Sequence, residues 1–125
     1  EAGNPKRLEF FEKDPIDWQP HPIGDLYQRL FALKKQNTTL WNGQWGATMV
    51  RVWNTHPEKV FSFVRSNEQD KVFAVFNFSA EPQTVSFKDA PFEGRYREYF
   101  SGDEVEMKAS TELTLPAWAY RVYVK

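Results

Sequence analysis

A chain of 125 residues makes about one domain and buries roughly two-thirds of the surface its unfolded form exposes, which is enough for one real core. Its 16 basic and 17 acidic side chains leave a net charge of -1, which argues against a dedicated nucleic-acid binder and removes polybasic attraction to lipid. Cysteine is absent, so disulfides, thiolate metal sites and thiol nucleophiles are excluded, and no apolar run reaches the length of a membrane-spanning helix.

Residues 1–24 carry Pro5, Pro15, Pro20 and Pro22, together with Gly3 and Gly24. Proline fixes its own φ and disfavours helix in the residue before it, so an extended, looping segment is expected, with a short turn of helix around Leu8–Glu12. Residues 25–37 read as the one convincing helix. Asp25 is the expected cap, Gln28 completes a capping-box-like pair, and Leu26, Leu30 and Leu33 form a stripe widened by Tyr27 and Phe31. Lys34 and Lys35 favour the negative end of the helix dipole, and Asn37 is the expected stop.

From Gly46 onward the apolar period is two. Strands are expected at Met49–Trp53, Val60–Arg65, Lys71–Phe78, Thr84–Phe87, Tyr96–Phe100, Val105–Lys108, Glu112–Leu115 and Ala119–Val124, separated by turns rich in proline, glycine and aspartate. In Lys71–Phe78 both faces are apolar, which predicts a central strand covered on both sides. About eight short antiparallel strands without intervening helices predict a Greek-key β-sandwich over residues 44–125, preceded by one helix.

Several stretches, in this order along the whole chain, resemble the C-terminal end of the α-amylase superfamily of glycoside hydrolases. Glu1-Ala2-Gly3-Asn4 is similar to the end of the eighth strand of that family's (β/α)8 barrel. Lys13-Asp14-Pro15-Ile16-Asp17-Trp18 resembles its eighth βα loop, and Leu26–Asn37 its last barrel helix, followed by Leu40 and Gly43. Val75-Phe76-Asn77-Phe78-Ser79 and Leu115-Pro116-Ala117-Trp118-Ala119-Tyr120-Arg121-Val122-Tyr123 are similar to strands of its antiparallel domain C.

The resemblance implies that residues 1–43 are the last loop and helix of a truncated barrel and residues 44–125 are domain C. It also implies a parent that hydrolyses α-glucosidic bonds of starch-type glucans with retention, using carboxylates that lie before this stretch. No catalytic residue is then expected in this chain. Its role would be to shield and stabilise the catalytic barrel, and that barrel and the parent's α-glucan would be its partners. Cofactors, metal, nucleic acid and a membrane segment are not expected.

The carboxylates Glu9, Glu12, Asp14 and Asp17 are the densest acidic cluster. A solvated loop is the ordinary expectation, and Asp14 is the candidate for an active-site rim. Trp41, Trp45 and Trp53 are candidate sugar-stacking residues, since indole faces pack on pyranose rings. The more ordinary expectation is that they fill a seam between helix and sandwich. Trp118 and Tyr120 are expected in core or edge packing, and His21 and His56 in loops. Asn37-Thr38-Thr39 and Asn77-Phe78-Ser79 match the glycosylation pattern, the second half-buried in a strand. Two other readings stay open: a carbohydrate-binding module built on the tryptophans, and a non-enzymatic interaction sandwich.

Overall fold

The computed structural model describes residues 3–125 and divides into two compact units, Glu1–Gln36 and Asn37–Lys125. Glu1 and Ala2, the first residues of the strand-end resemblance, lie outside the described residues.

In the first unit, residues 3–20 are irregular, and the helix turn expected around Leu8–Glu12 does not form. The loop closes through a side chain instead. The Asp14 carboxylate accepts the Glu9 backbone N–H at 2.9 Å and the Lys6 ammonium, and this holds residues 6–14 as a clasped loop. The helix α1 spans Ile23–Gln36 and starts earlier than the Asp25 cap predicts. His21 supplies the cap: its carbonyl accepts the Gly24 N–H at 2.9 Å and its Nδ1 accepts the Ile23 N–H at 3.2 Å. With two early donors satisfied there, Asp25 falls inside the first turn, where its charge still complements the positive end of the helix.

The second unit opens with two short 310 turns, Thr38–Leu40 and Gly43–Trp45. Nine strands follow: β1 (Met49–Arg51), β2 (Trp53–Asn54), β3 (Val60–Ser66), β4 (Lys71–Asn77), β5 (Gln83–Lys88), β6 (Gly94–Glu98), β7 (Glu104–Met107), β8 (Glu112–Leu115) and β9 (Tyr120–Val124). All pairings are antiparallel. A six-stranded sheet runs β1-β3-β4-β9-β6-β7 and a three-stranded sheet runs β2-β5-β8.

The expected strand Met49–Trp53 divides at Val52, so its first part joins one sheet and its last part the other. Val52 is fully buried, and its backbone is held by Ser62 at both ends. Its N–H donates to the Ser62 carbonyl at 2.9 Å, and its own carbonyl accepts from Ser62 Oγ at 2.8 Å.

Between the sheets lies one apolar core. Val64, Phe73, Val75, Tyr96 and Tyr123 from the larger sheet meet Val85, Phe87 and Leu115 from the smaller. Phe73 is its hub, with its ring centroid 5.1 Å from Phe87 and 5.9 Å from Tyr123. β4 is the central strand that its two apolar faces predict, and Val72 through Val75 are all buried.

The last strand begins later than expected. Trp118 sits in the turn before β9 with φ 58° and is 64% exposed, so it belongs neither to the core nor to an edge ladder. Its N–H bonds the Ser79 carbonyl, and Tyr120 is also exposed. Among the described residues, no helix is long and apolar enough to cross a membrane.

Candidate functional site

Asp14, the rim candidate, is committed within its own loop. The Lys6 ammonium and the Glu9 N–H beside it hold the carboxyl below the usual carboxylate range. Its side chain is only 8% exposed, so it offers little to a ligand. The clasp instead projects what lies inside it. Phe10 and Phe11 are 90% and 92% exposed and pack edge to face on each other.

The three tryptophans are placed differently from one another. Trp41 follows the first 310 turn and Trp45 ends the second; Trp45 is 69% exposed and Trp41 is 44% exposed. Trp53 lies on β2 opposite Lys88, on the outward face of the small sheet. The Arg51 guanidinium sits 4.0 Å from the centre of its ring and occupies one indole face by a cation–π contact. The outward face of this sheet is otherwise polar, with Thr84 and Thr114 hydroxyls 2.9 Å apart across the pair β5–β8.

The outward face of the large sheet is aromatic. Phe61 and Phe63 alternate along β3, Phe76 lies on β4, and Phe78 follows it. Register places Phe61 opposite Phe76, and Phe76 opposite Tyr120. Ring centroids run 5.8 Å from Phe61 to Phe63, 6.2 Å from Phe63 to Phe76 and 5.9 Å from Phe76 to Phe78, the last two pairs stacked. Phe100 extends the row, 5.2 Å from Tyr120. Phe61, Phe63 and Phe76 are half-buried and Phe78 is 63% exposed. The signal for this row was present in the alternation of β3 and β4, yet it does not say which apolar face meets the core and which stays outside.

Neither glycosylation pattern presents a free asparagine. Asn37 and Asn77 are both buried, and each amide is bonded within its own turn. His21 caps α1, and His56 lies in a turn with Nδ1 3.7 Å from Glu58.

The family of the maltogenic amylase C-terminal domain matches residues 50–122. A maltogenic α-amylase, AmyB of Thermotoga neapolitana, has a similar structure, with a TM-score of 0.76 and 16% identity over 96% of this chain and 30% of that one. An Anoxybacillus α-amylase superposes with a TM-score of 0.63 and 19% identity over 80% of this chain and 21% of that one. A trehalose-6-phosphate hydrolase of Bacillus licheniformis gives 0.58 and 15% over 78% and 17%. The chain thus spans less than a third of the length of each of these proteins. A comparison with curated protein sequences finds no match. The match to more than half of its length shows that this chain belongs to the family of maltogenic amylase C-terminal domains.

Proposed function

We propose that this chain is the non-catalytic C-terminal part of an α-amylase-like glycoside hydrolase, and that its sandwich shields and stabilises the catalytic barrel. In this reading residues 1–43 are the last βα loop and helix of a (β/α)8 barrel, and residues 44–125 are domain C. The parent hydrolyses α-glucosidic bonds of starch-type glucans with retention. Its two reacting carboxyl groups, about 5–5.5 Å apart in such enzymes, belong to the barrel.

The observation that carries the reading is the asymmetry of the two outward faces. The small sheet turns Thr84, Lys88, Glu112 and Thr114 outward, as a wetted surface does. The large sheet turns outward the row Phe61, Phe63, Phe76, Phe78 and Tyr120. A contiguous aromatic face on a soluble sheet marks a surface that another layer covers. Membership of the family of maltogenic amylase C-terminal domains supports the catalytic barrel of the same polypeptide as that layer.

Deletion of residues 44–125 from the full-length enzyme is expected to lower its melting temperature or its solubility. The 125-residue chain is expected to release no reducing sugar from soluble starch. An unchanged melting temperature and solubility after deletion would remove the shielding role, and starch hydrolysis by the chain would remove its non-catalytic status.

A second reading, a carbohydrate-binding module using Trp41, Trp45 and Trp53, draws support from the exposure of Trp45. The Arg51 guanidinium over Trp53 weighs against a three-ring platform.

A further inference from the structure

Trp118 holds a backbone conformation that its residue type does not favour. It lies in the turn of residues 116–119 that leads into β9, and its φ of 58° falls in the left-handed region. There a Cβ crowds the following carbonyl oxygen, and glycine takes the angle without that cost. A bulky residue at such an angle stays there only when its surroundings over-determine it, and such strain clusters at sites of function.

The surroundings do over-determine it. The Trp118 N–H donates to the Ser79 carbonyl at 3.1 Å, and the Ala119 N–H to the Pro116 carbonyl at 3.1 Å. The Asn77 N–H donates to the Ala119 carbonyl at 2.9 Å, and Asn77 Nδ2 holds the Pro116 carbonyl as well. Ala119 packs against the core. The indole gains nothing from this arrangement within the sandwich. It is exposed, and among the described residues no ring contact or side-chain hydrogen bond engages it.

The turn is continuous with the aromatic face of the large sheet. Ser79, which takes the Trp118 N–H, follows Phe78, and the exposed Phe78 ring stacks on Phe76. Tyr120, two residues beyond Trp118, lies opposite Phe76 in the register. Ala117 and Ala119 flank the indole with small, uncharged side chains, so it projects as an apolar knob on a fixed backbone. A rigid tryptophan of this kind is the usual anchor of an interface, because the cost of ordering it is met before binding.

We propose that Trp118 anchors the contact between this sandwich and the catalytic barrel of the same polypeptide, its preset indole filling an apolar pocket of that barrel. This rests on the shielding role proposed above. The face that Trp118 borders is the one that role gives to the barrel, and the uncharged surroundings of the ring suit an apolar pocket. The matched part is 30% or less of each similar protein, so in such a protein most of the chain lies beyond the sandwich and can supply that pocket.

The test separates the ring from the strain. Trp118→Ala removes the indole and keeps a Cβ at the left-handed angle, whereas Trp118→Gly removes both. In the 125-residue chain Trp118→Ala should leave the melting temperature unchanged, and Trp118→Gly should raise it by about 3 °C. In the full-length enzyme Trp118→Ala should lower it by about 5 °C, and Trp118→Gly should lower it less. The difference in fluorescence between the unaltered protein and Trp118→Phe should show a water-exposed indole in the short chain and a blue-shifted, buried one in the full-length enzyme.

An unchanged full-length melting temperature with Trp118→Ala would overturn the anchor. The shielding role would still stand if deletion of residues 44–125 lowered the melting temperature or solubility, and would fall with the anchor if it did not. An equal loss in both proteins would mean that the indole packs within the sandwich, which also overturns the anchor. A dimer of the short chain in sedimentation that Trp118→Ala abolishes would overturn the barrel as the occupant in favour of a second copy.

Discussion

Asn77 shows how one side chain decides a local fold. It is 2% exposed, and its amide joins segments far apart in sequence. Nδ2 donates to the carbonyls of Glu81 at 2.8 Å and Pro116 at 2.9 Å, while Oδ1 accepts the N–H of Ser79 at 3.0 Å and its hydroxyl at 2.7 Å. The Asn-Phe-Ser stretch is therefore a tie between the end of β4 and the turn before β9. Asn77→Ala leaves several buried groups unpaired and should cost about 3 kcal/mol of unfolding free energy, measured by urea denaturation. Asn77→Asp keeps the acceptor but sets a buried carboxylate against the Glu81 and Pro116 carbonyls, and near neutral pH it should cost more than the alanine variant.

Tyr123 makes a prediction at the same scale. Burial pushes its hydroxyl up to about 12, against a smaller opposing effect of Arg121, and burial likewise raises that of Tyr96, which donates to the Phe92 carbonyl at 2.8 Å. An unfolded tyrosine ionises near pH 10. The protonated forms are favoured by folding, so this stabilisation is fully present below about pH 10 and is lost as pH rises through the folded values. Unfolding free energy measured by urea at successive pH values should fall steeply between about pH 10 and 12. Tyr123→Phe should flatten that fall.

Among elements, the break between β1 and β2 is the most consequential. Met49 to Trp53 reads as one alternating run, because a strand that changes sheets keeps its period of two. What changes is the partner: Met49 pairs with Arg65 on β3, and Trp53 pairs with Lys88 on β5. The pivot is a polar knot, in which Asn54 Nδ2 reaches the Val60 carbonyl at 2.9 Å and Ser62 Oγ at 3.0 Å. Just before it, the 310 segment is packed tightly against β3. Arg65 Nε donates to the Ala47 carbonyl at 2.7 Å, and a Cβ on Gly46 would lie 2.0 Å from the Trp41 carbonyl oxygen. Gly46→Ala forces backbone apart and should lower stability by about 2 kcal/mol, measured by thermal unfolding. An unchanged melting temperature would mean that this segment is not packed as described.

For the whole molecule, fold class was legible because it depends on periodicity, which local sequence carries directly. β4 is so continuously apolar that its central place and its two apolar faces follow from the run Lys71–Phe78 alone. What was hidden depends on chain path. The clasp of Asp14 by Lys6 bridges a loop whose course no propensity dictates. The exposure of Trp118 follows from a residue at positive φ, which nothing about tryptophan suggests. The aromatic row needed the register between Phe61, Phe76 and Tyr120 before it became a surface.

That surface bears most directly on the claim that the sandwich covers a catalytic barrel. The decisive measurement compares Phe63→Ser/Phe76→Ser in the full-length enzyme and in the 125-residue chain by differential scanning calorimetry. The full-length double variant should melt about 5 °C lower, because polar side chains would then face the barrel, while the short chain, whose rings already meet water, should shift far less. Equal shifts in both, or none in the full-length enzyme, would contradict the account.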